Sequence, residues 1–447
     1  MAPILFATRV VVLAAALLGC LPGAGPAAAA TFTVNRTVDA VDARPGDGVC
    51  ETAPGNRICT LRAAIQEANA RSGADTINLP AGTFTVTLQN GLFEDRAADG
   101  DLDITDSLTL VGAGSGRTVV TAATVPLDRA ERILHVLGAI TVDIRGVTVR
   151  GGATRLVTDD GAGIKNVEAT LSVSRSVITG GLTESQGGGI SNVRGVVTVR
   201  DSLITRNFSE IAGGGGIANR EGTVIVVDST ISDNTTDEAA GAGIFNVLGT
   251  VMVVNSTIAN NGAQDDAGAI YNDRGVVVVT NTTFSGNRTG SRDGSNILNI
   301  DGTITLTNVT IARNGRRSSA VPTRGGGLLN RSGTITLHNS ILAENEANTG
   351  PNCFGTITSL GYNIVGDLGG CTFRRGPNDS VGDPDLGDFV ASTTPGRGHF
   401  PLQPGSPAID RGLSPTCGAV DQLNEPRRDG NATGGTQCDR GAVEFQP

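Results

Sequence analysis

The chain has 447 residues, 63 of them glycine, with 38% apolar, 17% charged and only 3% aromatic residues. That is too apolar for a disordered chain, too rich in glycine for a helical one, and too poor in rings for aromatic platforms that bind sugars or single-stranded nucleic acid. Acidic residues outnumber basic ones by 44 to 34, so the surface repels phosphate backbones and no nucleic-acid partner is expected.

Residues 1–30 read as a signal peptide. Arg9 precedes the apolar run Val10–Leu18, and the small residues Ala27–Ala30 offer a cleavage site after Ala30. A second, less favoured reading takes Leu17-Leu18-Gly19-Cys20 as a lipoprotein box with a lipid anchor on Cys20; Leu18 is larger than the residue usual before the glycine. No later stretch reaches the length of apolar sequence that spans a bilayer as a helix. The expected location is secreted or at the cell surface.

Residues 31–105 form an N-terminal cap. Leu61, Ala64, Ile65 and Ala68 recur at helical spacing, with Thr60 as N-cap and Gly73 as the stop. This short helix is expected to cover the first coil of a repeat array. Asp99-Gly100-Asp101-Leu102-Asp103 has the D-x-D-x-D spacing of a calcium loop. However, Ile104 stands where an EF-hand needs glycine and Leu110 where it needs glutamate. The alternation in D-L-D-I instead predicts a strand.

Residues 106–349 are that array. Motifs such as G-A-G-I-K-N, G-G-G-I-S-N and G-A-G-I-F-N place asparagines at Asn166, Asn192, Asn219, Asn246, Asn272, Asn299 and Asn330, in steps of 26 to 31 residues. A second series comprises Asn207, Asn234, Asn261, Asn287, Asn314 and Asn345. Strict alternation lies between. Val251, Val253 and Asn255 read as facing one way, and Thr303, Thr305 and Thr307 read as facing the other. Period two with β-branched enrichment means strand. A repeat of about 27 residues made only of strands predicts a single-stranded parallel β-helix, an all-β solenoid. Ile164, Ile190, Ile217, Ile244, Ile270, Ile297 and Leu328 are then one inward stack. The asparagines form an amide ladder, and the glycines are read as supplying positive φ at the corners.

Length changes between repeats fall after the second asparagine, which marks a loop face. Asp159, Asp160, Glu184, Glu210, Asp237, Glu238, Asp265, Asp266 and Asp293 gather there. They read as a solvated edge or as a cleft for Ca²⁺ or a cationic or polyhydroxylated ligand. Asp237 and Asp265 lie 28 positions apart, about one coil. With Glu238 and Asp266 they form the candidate Ca²⁺ site; no other cofactor is expected. Lys165, near Asp159 and Asp160, is the candidate base for polysaccharide lyase chemistry, but no residue is assigned as catalytic. His135, His338 and His399 sit in unrelated contexts, and no nucleophile-elbow, P-loop or dinucleotide signature appears in a strand–turn–helix setting.

Residues 350–447 carry ten of the 18 prolines and four cysteines, and read as C-terminal coils and a disulfide-tied cap. Six cysteines outside the signal peptide allow fifteen pairings. Their clustering in sequence suggests Cys50–Cys59, Cys353–Cys371 and Cys417–Cys438, formed in an oxidising compartment.

Some segments resemble known families. T-V-N-R-T-V-D, D-G-V-C and C-T-L-R-A-A-I-Q-E-A-N, within Thr31–Ala70, resemble the CSLREA domain of exported bacterial β-helix proteins, with a departure at Ala63. Gly268-Ala269-Ile270 and Phe284-Ser285-Gly286-Asn287 resemble polymorphic outer-membrane protein repeats. Leu402–Asp410 and Cys438–Glu444 resemble the choice-of-anchor Q region. Such a region usually precedes a sorting anchor; only Phe445-Gln446-Pro447 stand after Glu444, so release, or lipid attachment through Cys20, is expected instead. Together these segments imply a right-handed, pectin-lyase-like β-helix and no established reaction. The expected function is binding or display toward an extracellular polymer, cell-wall glycan or other cells, as an adhesin does. The alternative is a polysaccharide lyase or glycoside hydrolase with an acidic site on the loop face.

Overall fold

A computed structural model describes residues 29–88, 94–123, 131–155, 159–290, 293, 296–316, 322–427 and 437–446. Residues 1–28, on which the signal-peptide and Cys20 lipid-anchor readings fall, lie outside these residues.

One repeat shows how the sequence builds a coil. Ile217–Arg220, Thr223–Val227, Thr230–Ser232 and Thr235–Thr236 are four short strands separated by corners. Each pairs in parallel with its counterpart in the next coil: Ile244–Val247, Thr250–Val254, Thr257–Ala259 and Gly262–Ala263. We call the four stacks of strands rows one to four. Row one is continuous from Leu102–Ile104 to Cys353. Row four consists of two-residue strands from Ala153–Thr154 to Gly315–Arg316. The architecture is a parallel β-helix.

The seven inward residues from Ile164 to Leu328 are in one register and fully buried. Val224, Val226 and Ile231 repeat the pattern in rows two and three. Each such side chain contributes about 1.5–3 kcal/mol by leaving water. Outward threonines contribute little. Thr305 is partly exposed, and its hydroxyl meets only that of Thr336, at 3.3 Å. Thr305→Ala is expected to change stability by less than about 0.5 kcal/mol in a denaturant melt.

The first asparagine series is a hydrogen-bonded ladder. Asn192 donates to Asn219 Oδ1 at 2.8 Å and to the Gly195 carbonyl at 2.9 Å, and Asn219, Asn246 and Asn272 repeat the arrangement. The second series does the same, with Asn234 donating to Asn261 Oδ1 at 3.0 Å. A third ladder has no counterpart in the sequence reading. The backbone N–H groups of Ser176, Ser202 and Ser229 each donate to the hydroxyl one coil on, at 3.1–3.2 Å; the acceptors are Ser202, Ser229 and Ser256, and the Ser256 N–H continues the file to Thr282 at 3.4 Å.

The glycine reading holds in part: the corner glycines Gly161, Gly187, Gly214, Gly241, Gly325 and Gly333 hold positive φ of 65–84°. Gly195, Gly222, Gly249, Gly275 and Gly302 are not in the left-handed region; the residues before them are. Arg194, Glu221, Leu248, Arg274 and Asp301 hold φ of 51–57°. The glycines are required for space instead, because a Cβ at Gly222 would lie 2.4 Å from the Asn192 amide nitrogen. Asn255, Asn281 and Asn308 also differ from the alternation. They sit at corners with φ of 47–52°, which swings them off the inward row. Their amides reach instead to Asn424, the Val420 carbonyl and the Cys417 carbonyl.

At the front, the helix spans Leu61–Asn69. Thr60 Oγ1 accepts from the Ala63 N–H at 3.1 Å, and Leu61, Ala64, Ile65 and Ala68 join the tube's apolar core. It stops at Ala70, short of Gly73, where the Asn69 side chain holds the Asp103 carbonyl and the Thr105 N–H. At the back, the coils continue to Ser380–Val381. The remaining chain then runs back along row three. Gly396 N–H donates to Thr230 Oγ1, Thr257 to the Gly398 carbonyl, Thr283 to Gln422 Oε1, and Ala442 N–H to Thr310 Oγ1. The buried pair Arg427–Glu444, at 2.5 Å, locks this strap together. Disulfides join Cys50–Cys59, Cys353–Cys371 and Cys417–Cys438, with Cα separations of 5.1, 5.2 and 6.4 Å.

Candidate functional site

The outward positions of row one make a continuous file along the tube: Asp103, His135, Lys165, Ser191, Ala218, Phe245, Tyr271, Leu298 and Leu329. Its back half is apolar. Phe245 and Tyr271 stack with centroids 5.0 Å apart, and farther on Arg324 lies over Phe354. Its front half is ionic.

In that front half Asp103 is fully buried. One carboxylate oxygen accepts from the Ala97 N–H at 3.0 Å, and the other lies 3.2 Å from His135 Nδ1. Arg132 reaches Asp101 at 2.9 Å, lies 3.4 Å from His135 Nδ1, and pairs with Asp159 through its second nitrogen. Asp159 also meets Lys165 Nζ at 3.8 Å. Asp160 accepts from Ser185 Oγ at 2.5 Å. Burial is the main cause of the perturbed acidities. It pushes Asp101 up to about 6 and both Asp103 and Glu131 up to about 7. It drives His135 down to about 3. Lys165 is lowered by burial and then by the Arg132 charge.

These shifts give the front of the tube a pH dependence. Three carboxyls with raised folded-state pKa values bind protons that the unfolded chain does not hold. Their contribution is full below the ordinary carboxylate range and is lost as pH rises through about 6–7. Depressed His135 opposes this, since its contribution is present above its ordinary value and is lost as pH falls toward about 3. Lys165, lowered as well, opposes it in the same sense, so three carboxyls stand against two bases. Amide-exchange protection around 131–136 is therefore expected to increase as pH falls from about 8 to about 5, after correction for intrinsic exchange; unchanged protection would count against the buried carboxyls.

The four residues of the candidate Ca²⁺ site are placed differently. Thr235 and Thr236 register with Gly262 and Ala263, so a coil here is 27 residues, and by that count Asp237 aligns with Gln264 and Glu238 with Asp265. Glu238 and Asp265 are exposed, and Asp266 is bound by Arg331 at 3.0 Å. Arg331 and Arg324 both hold Asp293 as well. Among the described residues, the acidic group close enough to share an ion is Asp95, Asp103 and His135. It does not suit Ca²⁺. One oxygen of Asp103 is taken by the Ala97 N–H, a nitrogen ligand is soft for a hard ion, and the Arg132 cation stands 3.4 Å from His135 Nδ1. The cluster balances its charge with Arg132 and Lys165.

Sequence reasoning found Lys165, Asp159 and Asp160, weighed Asp101 and Asp103 as a calcium loop and preferred the strand that is present at Leu102–Ile104, set His135 aside as unrelated, and missed Arg132. Asp103, His135 and Lys165 are 32 and 30 positions apart, near the coil length, and this was the signal available.

No family model matches the sequence, and no curated protein matches it. The family resemblances therefore rest on their residues alone. Two solved structures are similar. The A-module of the mannuronan C-5 epimerase AlgE6 of Azotobacter vinelandii aligns at TM-score 0.35 and 16% identity, over 72% of this chain and 92% of that one. The pectate lyase Pel9A aligns at TM-score 0.53 and 16% identity, over 94% of this chain and 98% of that one. At that identity the likeness is one of fold: the chain is a right-handed parallel β-helix of the pectin-lyase-like kind.

Proposed function

We propose that the chain is an extracellular β-helix directed at a polysaccharide, and that it acts at the front of row one by eliminating a glycosidic bond beside an acidic sugar. Lys165 carries this reading. It is an outward-facing amine whose charged form is disfavoured by burial and by Arg132, which is what a base for a carbon acid requires. Once deprotonated, the amine takes the proton from the carbon next to the sugar's carboxylate. The freed electron pair forms a carbon–carbon double bond, and the bond to the glycosidic oxygen breaks. A protonated carboxyl of the cluster is the source of the proton that the leaving oxygen needs. The ions already in place orient the amine and keep its surroundings polar.

The extracellular setting is supported by three disulfides; no helix among the described residues is long and apolar enough to cross a membrane. A second reading is retention of the polymer without turnover. It is favoured by Asp159, which already pairs with both Arg132 and Lys165. Incubation with uronate polymers and with neutral glucans, reading retained polymer and unsaturated product, separates the two. Unsaturated product is expected from uronate polymers, with Lys165→Ala slower by at least about 100-fold. Retention without product supports the second reading, and neither result would end both.

A further inference from the structure

On another flank of the tube, where row three turns into row four, a hollow of about 310 Å³ is lined by Thr235, Asn260, Asn261, Gly262, Gly286 and Arg288. Gly262 leaves its row-four position without a side chain, and Gly286 lets the Asn260 amide turn in beside it. The first position of row four carries Leu182, Phe208, Thr235 and Arg288 in neighbouring coils but Gly262 between the last two. The corner before it carries Arg206, Asp233, Asn260 and Arg313 but Gly286, over which the Asn260 amide oxygen lies.

Asn261 is committed to the ladder. The other three polar side chains are not. Thr235, Asn260 and Arg288 make no side-chain hydrogen bond or ion pair with a described residue, while Arg313 of the same corner file is paired to Glu344 at 2.7 Å. A guanidinium, an amide and a hydroxyl thus line one hollow with their bonding capacity unspent. The volume lies at the lower end of small-ligand sites. The guanidinium selects a planar anion, and the amide and hydroxyl suit ring hydroxyls.

We propose that this hollow binds the carboxylate-bearing sugar of an acidic oligosaccharide. The inference shares with the preceding reading only the class of ligand, and it concerns a different flank of the tube. The test is calorimetric titration of the full chain with trigalacturonate, with a neutral glucose trisaccharide and inorganic phosphate as the other arms. Trigalacturonate is expected to bind, with Arg288→Gln weaker by at least about tenfold and Gly262→Thr, which fills the floor, weaker still. Lys165→Gln should leave the Arg288-dependent part of this binding unchanged. Thermal melts of the Arg288→Gln variant should match the parent, since Arg288 is exposed. If affinity is lost in Lys165→Gln and kept in Arg288→Gln, this inference fails and the row-one reading stands. Equal affinity for the neutral sugar or for phosphate, or no trigalacturonate binding, also overturns it. Unsaturated product with no effect of Arg288→Gln on binding separates the two readings in the same way.

Discussion

Asn246→Ala is expected to cost the fold roughly 2–4 kcal/mol, against less than about 0.5 kcal/mol for Thr305→Ala. Asn246 is fully buried and makes three bonds. It donates to the Gly249 carbonyl at 3.0 Å and to Asn272 Oδ1 at 2.8 Å, and it accepts from Asn219 Nδ2 at 2.8 Å. Alanine strands a donor on one side, an acceptor on the other and a carbonyl at the corner. None of these can be reached by water without opening the stack, and each stranded group costs about 1–3 kcal/mol, partly shared where Asn219 keeps its bond to Gly222. Urea melts of the two variants check it. Equal losses would show that the amide ladder adds nothing to the tube.

Gly249→Ala is expected to cost about 3 kcal/mol, at the upper end of overpacking changes. The new methyl would lie 2.2 Å from Asn219 Nδ2 and 2.8 Å from both Asn246 Oδ1 and the Gly222 carbonyl. Two of these atoms belong to the ladder and the third is backbone, so nothing can move without breaking a bond. Leu248→Gly distinguishes the two roles that a corner residue can have. Leu248 holds φ of 57° and is half exposed. Glycine there removes left-handed strain at the cost of backbone freedom, so the net change is expected to stay within about 1 kcal/mol. If Leu248→Gly were the damaging change and Gly249→Ala the mild one, the corner would be shaped by φ and not by space around the amides.

The ladders and the inward stack were legible because a solenoid repeats its register, so equal spacing in sequence becomes vertical neighbours in space. Spacing alone places Ile164 through Leu328 on one line. Corner conformations were not legible, because a left-handed φ leaves no mark on residue identity when arginine, aspartate and leucine all occupy the same corner. The 28-position step from Asp237 to Asp265 mistook a 27-residue coil by one residue, which is enough to change which side chains face each other. The charged front of row one was hidden for a related reason. Asp103, His135 and Lys165 are spaced near the coil length, but the first two lie in coils where Ile104 and Val136 stand in place of the asparagine that marks the register. The strap was hidden because its contacts, such as Thr283 to Gln422, lie 139 positions apart and obey no period. Nothing in composition alone distinguishes a lid over the last coil from a strap along the side.

The most direct measurement of where the chain acts is hydrogen–deuterium exchange of the full chain with and without polygalacturonate. Protection should appear at 131–136 and 164–167, the segments that carry Arg132, His135 and Lys165, and should be lost in Lys165→Ala. Protection confined to other coils, or none at saturating polymer, would contradict the assignment of the charged front of row one as the site of action.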